Sequence, residues 1–381
     1  MLPLVSLPFL PEAVGNSILL VGSFLLLLGG AEIFTNGIEW LGNRLGVSES
    51  ATGSILAAVG TALPETMIPV IAILGAVFGF TDESAANEVG VGAILGAPFM
   101  LATIAMFLIA ISVLYFRNRR MYGAEFHFNE KSTRRDLGFF LVGYTLAFIA
   151  ALIRSQLIAT LIGLLLVALY IFYVYRSLQS GGLIEDEDLD ELHLGRIADS
   201  SSSGNSSFAE DPPALLVGLQ TLIALLIIIG GAHLFVEEVR WAAGTLGIPD
   251  AVLALLLAPL ATELPEKFNS VLWISRDKDT LAIGNITGAM AFQGTLPVTL
   301  GILFTSWNLS LSPENTAGFL NGLSAILAIV SGGILYFRAR SAGEGNMSPV
   351  PFLIGGLFYA VFVVVLLYFV FTGQIQHVAG H

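Results

Sequence analysis

Cysteine is absent from the 381-residue chain, which excludes disulfide bonds, thiolate catalysis and cysteine-bound metals. Charged residues make up only 12% of the chain, whereas they make up about a quarter of a soluble domain. Basic residues are fewer than acidic residues, and the net charge of −13 argues against nucleic acid as a partner. The sequence also lacks a P-loop, a dinucleotide fingerprint and an HExxH motif, so it predicts neither an enzyme nor a resident cofactor.

Hydrophobic residues, by contrast, make up 55% of the chain, and the mean hydropathy of +0.82 is typical of a polytopic membrane protein. A helix needs about 20 apolar residues to cross a bilayer. The hydrophobic runs predict an all-α fold with ten such helices, five in each half of the chain. They cover 17–41, 49–78, 86–114, 137–153, 156–176, 214–242, 250–275, 280–305, 316–337 and 350–372.

One five-residue phrase occurs twice, each time inside a predicted membrane helix. Thr61-Ala62-Leu63-Pro64-Glu65 returns as Thr262-Glu263-Leu264-Pro265-Glu266. A duplicated helix breaker beside a carboxylate at membrane depth is typical of transporters built from two repeats. We predict repeats over residues 1–177 and 214–381. Each holds an odd number of helices, so the second repeat is inverted and the two broken helices meet near the bilayer midplane.

A polar linker, residues 178–213, joins the two predicted repeats. It contains the acidic run Glu185-Asp186-Glu187-Asp188 and a serine run over 200–203. Such a composition predicts a solvated segment. It serves either as a regulatory calcium-binding loop or as an acidic tether. Its spacing does not fit an EF-hand, which favours the tether.

Basic residues fix the predicted orientation, because cytoplasmic connections of membrane proteins are enriched in Lys and Arg. Only Arg154 and Arg240 fall in connections on the opposite side from the rest. The sequence therefore predicts a cell-membrane protein with both termini outside and a cytoplasmic linker. The cytoplasmic basic residues are Arg44, Arg117, Arg119, Arg120, Lys131, Arg134, Arg135, Arg176, Arg196, Arg276, Lys278, Arg338 and Arg340.

The duplicated phrases indicate a cation site. Pro64 and Pro265 each remove a backbone donor and free a carbonyl one turn upstream, and Glu65 and Glu266 follow directly. Oxygen ligands of this kind suit hard cations such as Ca²⁺, Na⁺ or Mg²⁺. In the alternative interpretation the prolines only kink the helices, and the acids pair with a base such as Lys267. The candidate ligands are Glu65, Glu266, Thr61, Thr262 and carbonyls near Ala57-Ala58 and Ala258-Pro259.

A second duplicated phrase lies on the third and eighth predicted helices, where 92–97 resembles 284–289. We expect Gly92 and Gly96 to serve close helix packing. On the eighth helix, the polar candidates that would complete the cation site are Asn285, Thr287 and Gln293.

Other acidic residues and one histidine lie within the membrane helices. Glu32 and His233 occupy the same position in the two repeats, either as a proton relay or as hydrogen-bonded interface residues. Glu39, Glu237 and Glu238 lie nearer the helix ends, and we expect them to be solvated.

The two phrases and the inverted repeat resemble the cation/calcium antiporter superfamily, and within it the sodium/calcium exchangers. The likeness is clearest over 46–110 and 247–305. It implies that Glu65 and Glu266 bind Ca²⁺ and Na⁺ in turn. It also implies that Thr61, Thr262 and the carbonyls of Ala58 and Pro259 assist them.

The ion-site motifs nevertheless diverge from the family pattern. In the family pattern a serine follows the threonine of each phrase. This chain has Ala62 at that position in one half and Glu263 in the other. The amide or acid positions of the third and eighth helices become Leu101 and Gln293. Glu263 adds a third acid near the site, and clustered carboxylates favour proton uptake. We therefore expect proton participation, unless Glu263 forms a salt bridge with Lys267.

These residues predict a secondary antiporter that exchanges Ca²⁺, or a similar cation, against Na⁺ or H⁺. The first and sixth helices would move past the rest in alternating access. The alternatives are a Mg²⁺ or Mn²⁺ exchanger coupled to protons, and a membrane ion sensor that moves nothing. The expected partners are small inorganic cations and the lipid bilayer.

Overall fold

The structure is a computed structural model. It describes residues 11–62, 66, 83–153, 155–179, 189–201, 208–246, 260, 263–305, 307, 309, 311–340 and 346–374. Within these ranges the fold is helical, and eight helical segments are long and apolar enough to cross a bilayer. The second and seventh predicted helices fall partly outside the described residues. The observed architecture is that of a polytopic membrane protein.

In the first half, the described parts of the long hydrophobic runs are helical. The π-helical turns π1 and π2 interrupt the second and third predicted helices, and such turns recur at functional sites. The helices α5 and α6 confirm the predicted split around residue 154. The elements are α1 (Glu12–Arg44), α2 (Glu49–Ala51), π1 (Thr52–Ala57), α3 (Glu83–Met100), π2 (Leu101–Ala105), α4 (Met106–Phe116), β1 (Phe126–His127), α5 (Glu130–Leu152) and α6 (Gln156–Leu178).

Within its described residues, the second half contains a break that the sequence did not predict. The eighth predicted helix divides into two helices at Thr295, two residues before Pro297. The elements are α7 (His193–Ser201), α8 (Ala214–Thr245), α9 (Leu264–Ser275), α10 (Asp279–Gln293), α11 (Leu296–Phe304), α12 (Thr316–Arg340), β2 (Asn346–Met347) and α13 (Val350–Phe371).

Connections that alternate along the chain lie together on one face, which we call the connection face. β1 follows α4 and pairs antiparallel with β2, which follows α12. Arg120 of the same connection as β1 donates to both carboxylate oxygens of Asp279, at 2.8 and 2.6 Å, where α10 begins. Lys278, between α9 and α10, pairs with Glu39 of α1. This common face agrees with the alternation that ten crossings impose.

Small residues let π1 pack directly on α10. A Cβ atom on Gly288 would overlap the carbonyl group of Ser54, and one on Gly284 would lie 3.1 Å from the Ser54 hydroxyl. Glycine is therefore required for this approach. Among the described residues, a Cβ on Gly92 would lie 4.0 Å from Asn321 Oδ1 and one on Gly96 would meet no atom within 4 Å, so the close packing predicted for these two glycines stays a prediction.

The described part of the linker is folded onto α1 and α8, unlike the solvated tether that its composition predicts. Trp40 Nε1 donates to the carbonyl of Asp190 at 2.8 Å. Asn36 accepts from the amide of His193, and Gln220 of α8 accepts from the amide of Leu194 at 2.7 Å. Leu192 is fully buried in a small cluster with Trp40 and Val217. The acidic run 185–188 lies outside the described residues.

Candidate functional site

Three predicted membrane helices meet at a buried polar junction centred on Asn285 of α10. Its Nδ2 donates to the backbone carbonyl of Glu266 and to the hydroxyl of Ser270, both at 3.1 Å. The hydroxyl of Thr61 lies 3.4 Å from Asn285 Oδ1 and donates to the carbonyl of Ala57 at 3.0 Å. Thr61 and Glu266, predicted as ligands from opposite halves of the chain, are therefore joined through one side chain.

Glu266 occupies the first turn of α9, and its side chain is buried. Pro265 lies in the same turn, where its missing N–H costs nothing because the first N–H groups of a helix have no partner within it. A carboxylate is also favoured there by the partial positive charge of the helix N-terminus. The sequence thus places a helix start and an acid together inside the protein, as predicted for the seventh helix.

Glu263 forms a buried ion pair with Lys267. Lys267 Nζ lies 2.9 Å from Glu263 Oε2 and also donates to the Glu263 backbone carbonyl at 3.1 Å. Both side chains are at most 2% exposed. The salt bridge given as an alternative for Glu263 is therefore the observed arrangement.

The other predicted ligands are only partly described. Ala58 is buried, directly after π1. Gln293, at the end of α10, is 2% exposed, and within the described residues neither of its amide atoms has a hydrogen-bond partner. Glu65, Thr262 and Pro259 lie outside the described residues. Within those residues, no group of three or more His, Cys, Asp or Glu side chains is placed to hold a metal ion.

A second buried polar junction, around Asp136 of α5, was not predicted. Its Oδ2 accepts from the hydroxyls of Ser54 and Thr287, the latter at 3.0 Å. Its Oδ1 accepts from Arg135 at 2.9 Å. Asp136 thereby fixes π1 against α10 two residues from Asn285. Thr287, a predicted ligand candidate, serves this junction.

Two acidic residues on α1, Glu32 and Glu39, contact the core through ion pairs. Glu32 pairs with Arg276, and the ring of His193 lies 3.6 Å from it. Glu39, expected to be solvated, is only 3% exposed because it pairs with Lys278 and accepts from Trp273 Nε1 at 2.8 Å.

On α8, Glu238 was also expected to be solvated, and it is 6% exposed. His233 is largely exposed, 3.8 Å from Glu237. Glu32 is therefore paired where α1 meets the core, whereas His233 is exposed beside Glu237 of its own helix.

Interrupted helices from two halves, meeting at a buried junction rich in oxygen atoms, define the class of secondary transporters with repeated halves. Comparison with known proteins specifies the family. The sequence profile described as Sodium/calcium exchanger protein matches residues 16–179 and 217–371. The chain belongs to this family of exchangers.

Individual relatives agree with this assignment along most of the chain. Sodium/calcium exchanger MaX1 of Methanosarcina acetivorans is 27% identical over 369 residues, covering 93% of this chain and 99% of that protein. A membrane protein of Methanocaldococcus jannaschii is 25% identical over 342 residues, covering 88% and 95%. The solved structure of the sodium-calcium exchanger NCX_Mj, soaked with 10 mM Na⁺, matches with a TM-score of 0.65 at 20% identity, covering 91% and 98%. These likenesses establish the fold as that of an exchanger with inverted repeats.

Proposed function

We propose that this protein is a secondary antiporter that exchanges Ca²⁺ against Na⁺ across the cell membrane. The observation that carries the proposal is the Asn285 junction, which joins Thr61 of one half to Glu266 of the other in a buried position. Family membership supports an exchanger, and the buried oxygen atoms suit a hard cation.

The proposed cation site has Glu266 and Glu65 as its central ligands. Thr61, Thr262 and the carbonyls of Ala58 and Pro259 complete it from the two broken helices. Gln293 supplies an amide at the position where the family pattern has an amide or an acid. Its burial without a partner in the described residues supports this role, because a bound cation satisfies such an oxygen atom.

Alternating access is proposed to move α1 and α8 against the other helices. Support comes from their mutual packing: a Cβ on Gly30 of α1 would lie 3.0 Å from Ile228 of α8. The pairs Glu32–Arg276 and Glu39–Lys278 join α1 to the core at the connection face. Motion of α1 would have to break them. We propose that the connection face is cytoplasmic and that both termini lie outside.

Sodium is proposed as the coupling ion because Lys267 already neutralises Glu263. The expectation of proton coupling depended on repulsion among three carboxylates, and this pair removes one charge from that group. Two carboxylates then remain for one Ca²⁺ or for Na⁺ ions. Proton coupling is the competing outcome of the transport assay, and inhibition of ⁴⁵Ca²⁺ uptake by unlabelled Mg²⁺ or Mn²⁺ would point to those cations as substrates.

The decisive experiment is ⁴⁵Ca²⁺ uptake into proteoliposomes under an imposed sodium gradient or an imposed pH gradient. Wild-type protein should respond to the sodium gradient. Glu266→Gln should abolish uptake while the protein still folds, because glutamine keeps the shape of the side chain and removes its charge. Glu130→Gln, at a partly exposed pair with Arg134, is the matched control and should transport normally.

Each other result identifies a different function. Uptake that follows only the pH gradient would replace sodium by protons as the coupling ion. Cation binding without uptake would indicate a membrane ion sensor. Wild-type uptake by Glu266→Gln would remove Glu266 from the site.

A further inference from the structure

Asn269 is a fully buried amide on α9, and its contacts are unlike those of the neighbouring Ser270. Ser270, the next residue, donates to the carbonyl of Ala282 and accepts from Asn285, both at 3.1 Å. Asn269 is 0% exposed, yet within the described residues neither its Oδ1 nor its Nδ2 has a hydrogen-bond partner. Burying an amide without a hydrogen bond costs about 1–3 kcal/mol in proteins. Such a residue requires a ligand or another explanation.

The position of Asn269 on α9 is defined by contacts on both sides of it in sequence. Phe268 packs edge-to-face on Phe24 of α1, with ring centroids 5.4 Å apart. Trp273 donates to Glu39, also on α1, at 2.8 Å. Glu266 is three residues before Asn269 and therefore lies on the same side of the helix. Asn269 thus lies in the seam between α9 and α1, one turn from Glu266 toward the connection face.

We propose that Asn269 is a cation-binding residue in this seam. Its Oδ1 would receive the hard cation between the Glu266 site and the connection face. This inference rests on the proposed function, because it extends the path of the same ion. Amide oxygens are ordinary ligands of Ca²⁺. The first repeat has no amide at the corresponding position, which is Ile68.

Terbium luminescence tests the site without any need for transport. Tb³⁺ is a hard trivalent cation that replaces Ca²⁺ at oxygen sites, and an excited tryptophan close to it sensitises its emission. Trp273 lies one turn from Asn269 on the same helix. Purified wild-type protein should therefore show Tb³⁺ emission that Ca²⁺ displaces. Trp273→Phe should lose it, and Trp307→Phe should keep it, because Trp307 lies elsewhere, donating to the Ala147 carbonyl.

We expect two substitutions of Asn269 to change the affinity for Tb³⁺ in opposite directions. Asn269→Leu keeps the size of the side chain and removes its oxygen, so Tb³⁺ affinity should fall about tenfold. Asn269→Asp adds a charge to the same shape, so the affinity should rise. The melting temperature of Asn269→Leu should stay equal or increase, because a buried amide without hydrogen bonds is replaced by an apolar group. Ser331→Ala, which removes a buried hydroxyl bonded to Ala102, is the control and should leave Tb³⁺ binding unchanged.

Transport adds a second readout, which depends on the side of the membrane. In proteoliposomes with the connection face exposed to the assay solution, Asn269→Leu should raise the half-saturating Ca²⁺ concentration about tenfold. From the opposite face the change should be smaller. Wild-type Tb³⁺ emission in Asn269→Leu, or a lower melting temperature with unchanged Tb³⁺ affinity, would overturn the proposal. If wild-type protein binds Tb³⁺ through Asn269 but transports nothing, the site stands and the antiporter proposal fails.

Discussion

At the scale of single residues, Lys267 and Glu263 place an ammonium and a carboxylate together inside a membrane helix. Their separation is 2.9 Å, and both are almost fully buried. Removing water from two charges costs free energy, and the attraction between the two ions offsets this cost in the protein interior. The Lys267 ammonium therefore neutralises the Glu263 carboxylate next to Glu266. We expect this pair to affect the stability of the folded protein more than ion binding.

We predict that Glu263→Gln destabilises the folded protein by about 3–5 kcal/mol, because it leaves the Lys267 ammonium buried without its counter-charge. The double variant with Lys267→Met should recover most of this loss. Thermal unfolding in detergent measures both. Glu130→Gln is matched in spacing and distance, since Arg134 lies 3.0 Å away and four residues along. That pair is partly exposed, so its loss should cost about 0–1 kcal/mol. Equal losses at the two sites would contradict the prediction.

The duplicated phrase explains which site residues the sequence could reveal. Thr61 and Glu266 were predicted because each has a counterpart in the other half of the chain. Asn269 and Asp136 have no such duplication, and an isolated Asn or Asp in a helix carries no spacing signal. Asp136 follows three basic residues near a helix start, Lys131, Arg134 and Arg135, and such a context is typical of a solvated helix end. Its burial depends on tertiary packing with Ser54 and Thr287.

At the scale of helices, π1 approaches α10 so closely that a Cβ on Gly288 would overlap the Ser54 carbonyl oxygen. Gly288→Ala should destabilise the protein by about 1–3 kcal/mol or more, because the new methyl group overlaps the backbone of Ser54. Gly218→Ala in α8 is the control, because among the described residues its Cβ would meet no atom within 4 Å and alanine favours a helix over glycine by about 1 kcal/mol. Melting temperatures should therefore fall for the first variant and hold or rise for the second. A neutral Gly288→Ala would mean that the close approach is not required.

The folded part of the linker illustrates why composition alone misjudged this segment. Acidic and serine-rich sequence predicts solvation, but in the described part of 178–213 Leu192 is fully buried and several backbone groups form hydrogen bonds with α1 and α8. Asn36 and Gln220, inside α1 and α8, offer polar partners to those groups. Neither residue carries a sequence signal for a linker contact, so only the structure reveals the docking.

Leu192→Ala should release this segment from α1 and α8, since truncating a buried leucine costs about 2–5 kcal/mol. Trypsin cleavage after Arg196, which is partly exposed on α7, should then become faster. Ile197→Ala changes a side chain that is 62% exposed and should leave the cleavage rate unchanged. The prediction fails if both variants are cleaved at the wild-type rate.

At the scale of the whole molecule, the orientation in the membrane is predicted from the shared face of several connections and from the distribution of Lys and Arg. The connections containing β1, β2 and Lys278 meet on one face, together with the docked linker. Most basic residues of the chain lie in these connections or in the helix turns that flank them. Membrane insertion retains Lys and Arg in the cytoplasm, so the connection face should be cytoplasmic. The loop between α11 and α12, one crossing away, should then lie outside.

Single cysteines test this arrangement, because the natural chain has none. Asn118→Cys lies beside β1 and Ile197→Cys lies on α7, whereas Leu311→Cys lies in the loop between α11 and α12; all three positions are exposed. A membrane-impermeant maleimide should label 118 and 197 only when the cytoplasmic side is open, and 311 in intact cells. Labelling of 118 and 197 from outside, with 311 from inside, would invert the molecule but keep its fold. Labelling of 118 and 311 from the same side would contradict the fold itself, because one membrane crossing by α10 and α11 must separate them.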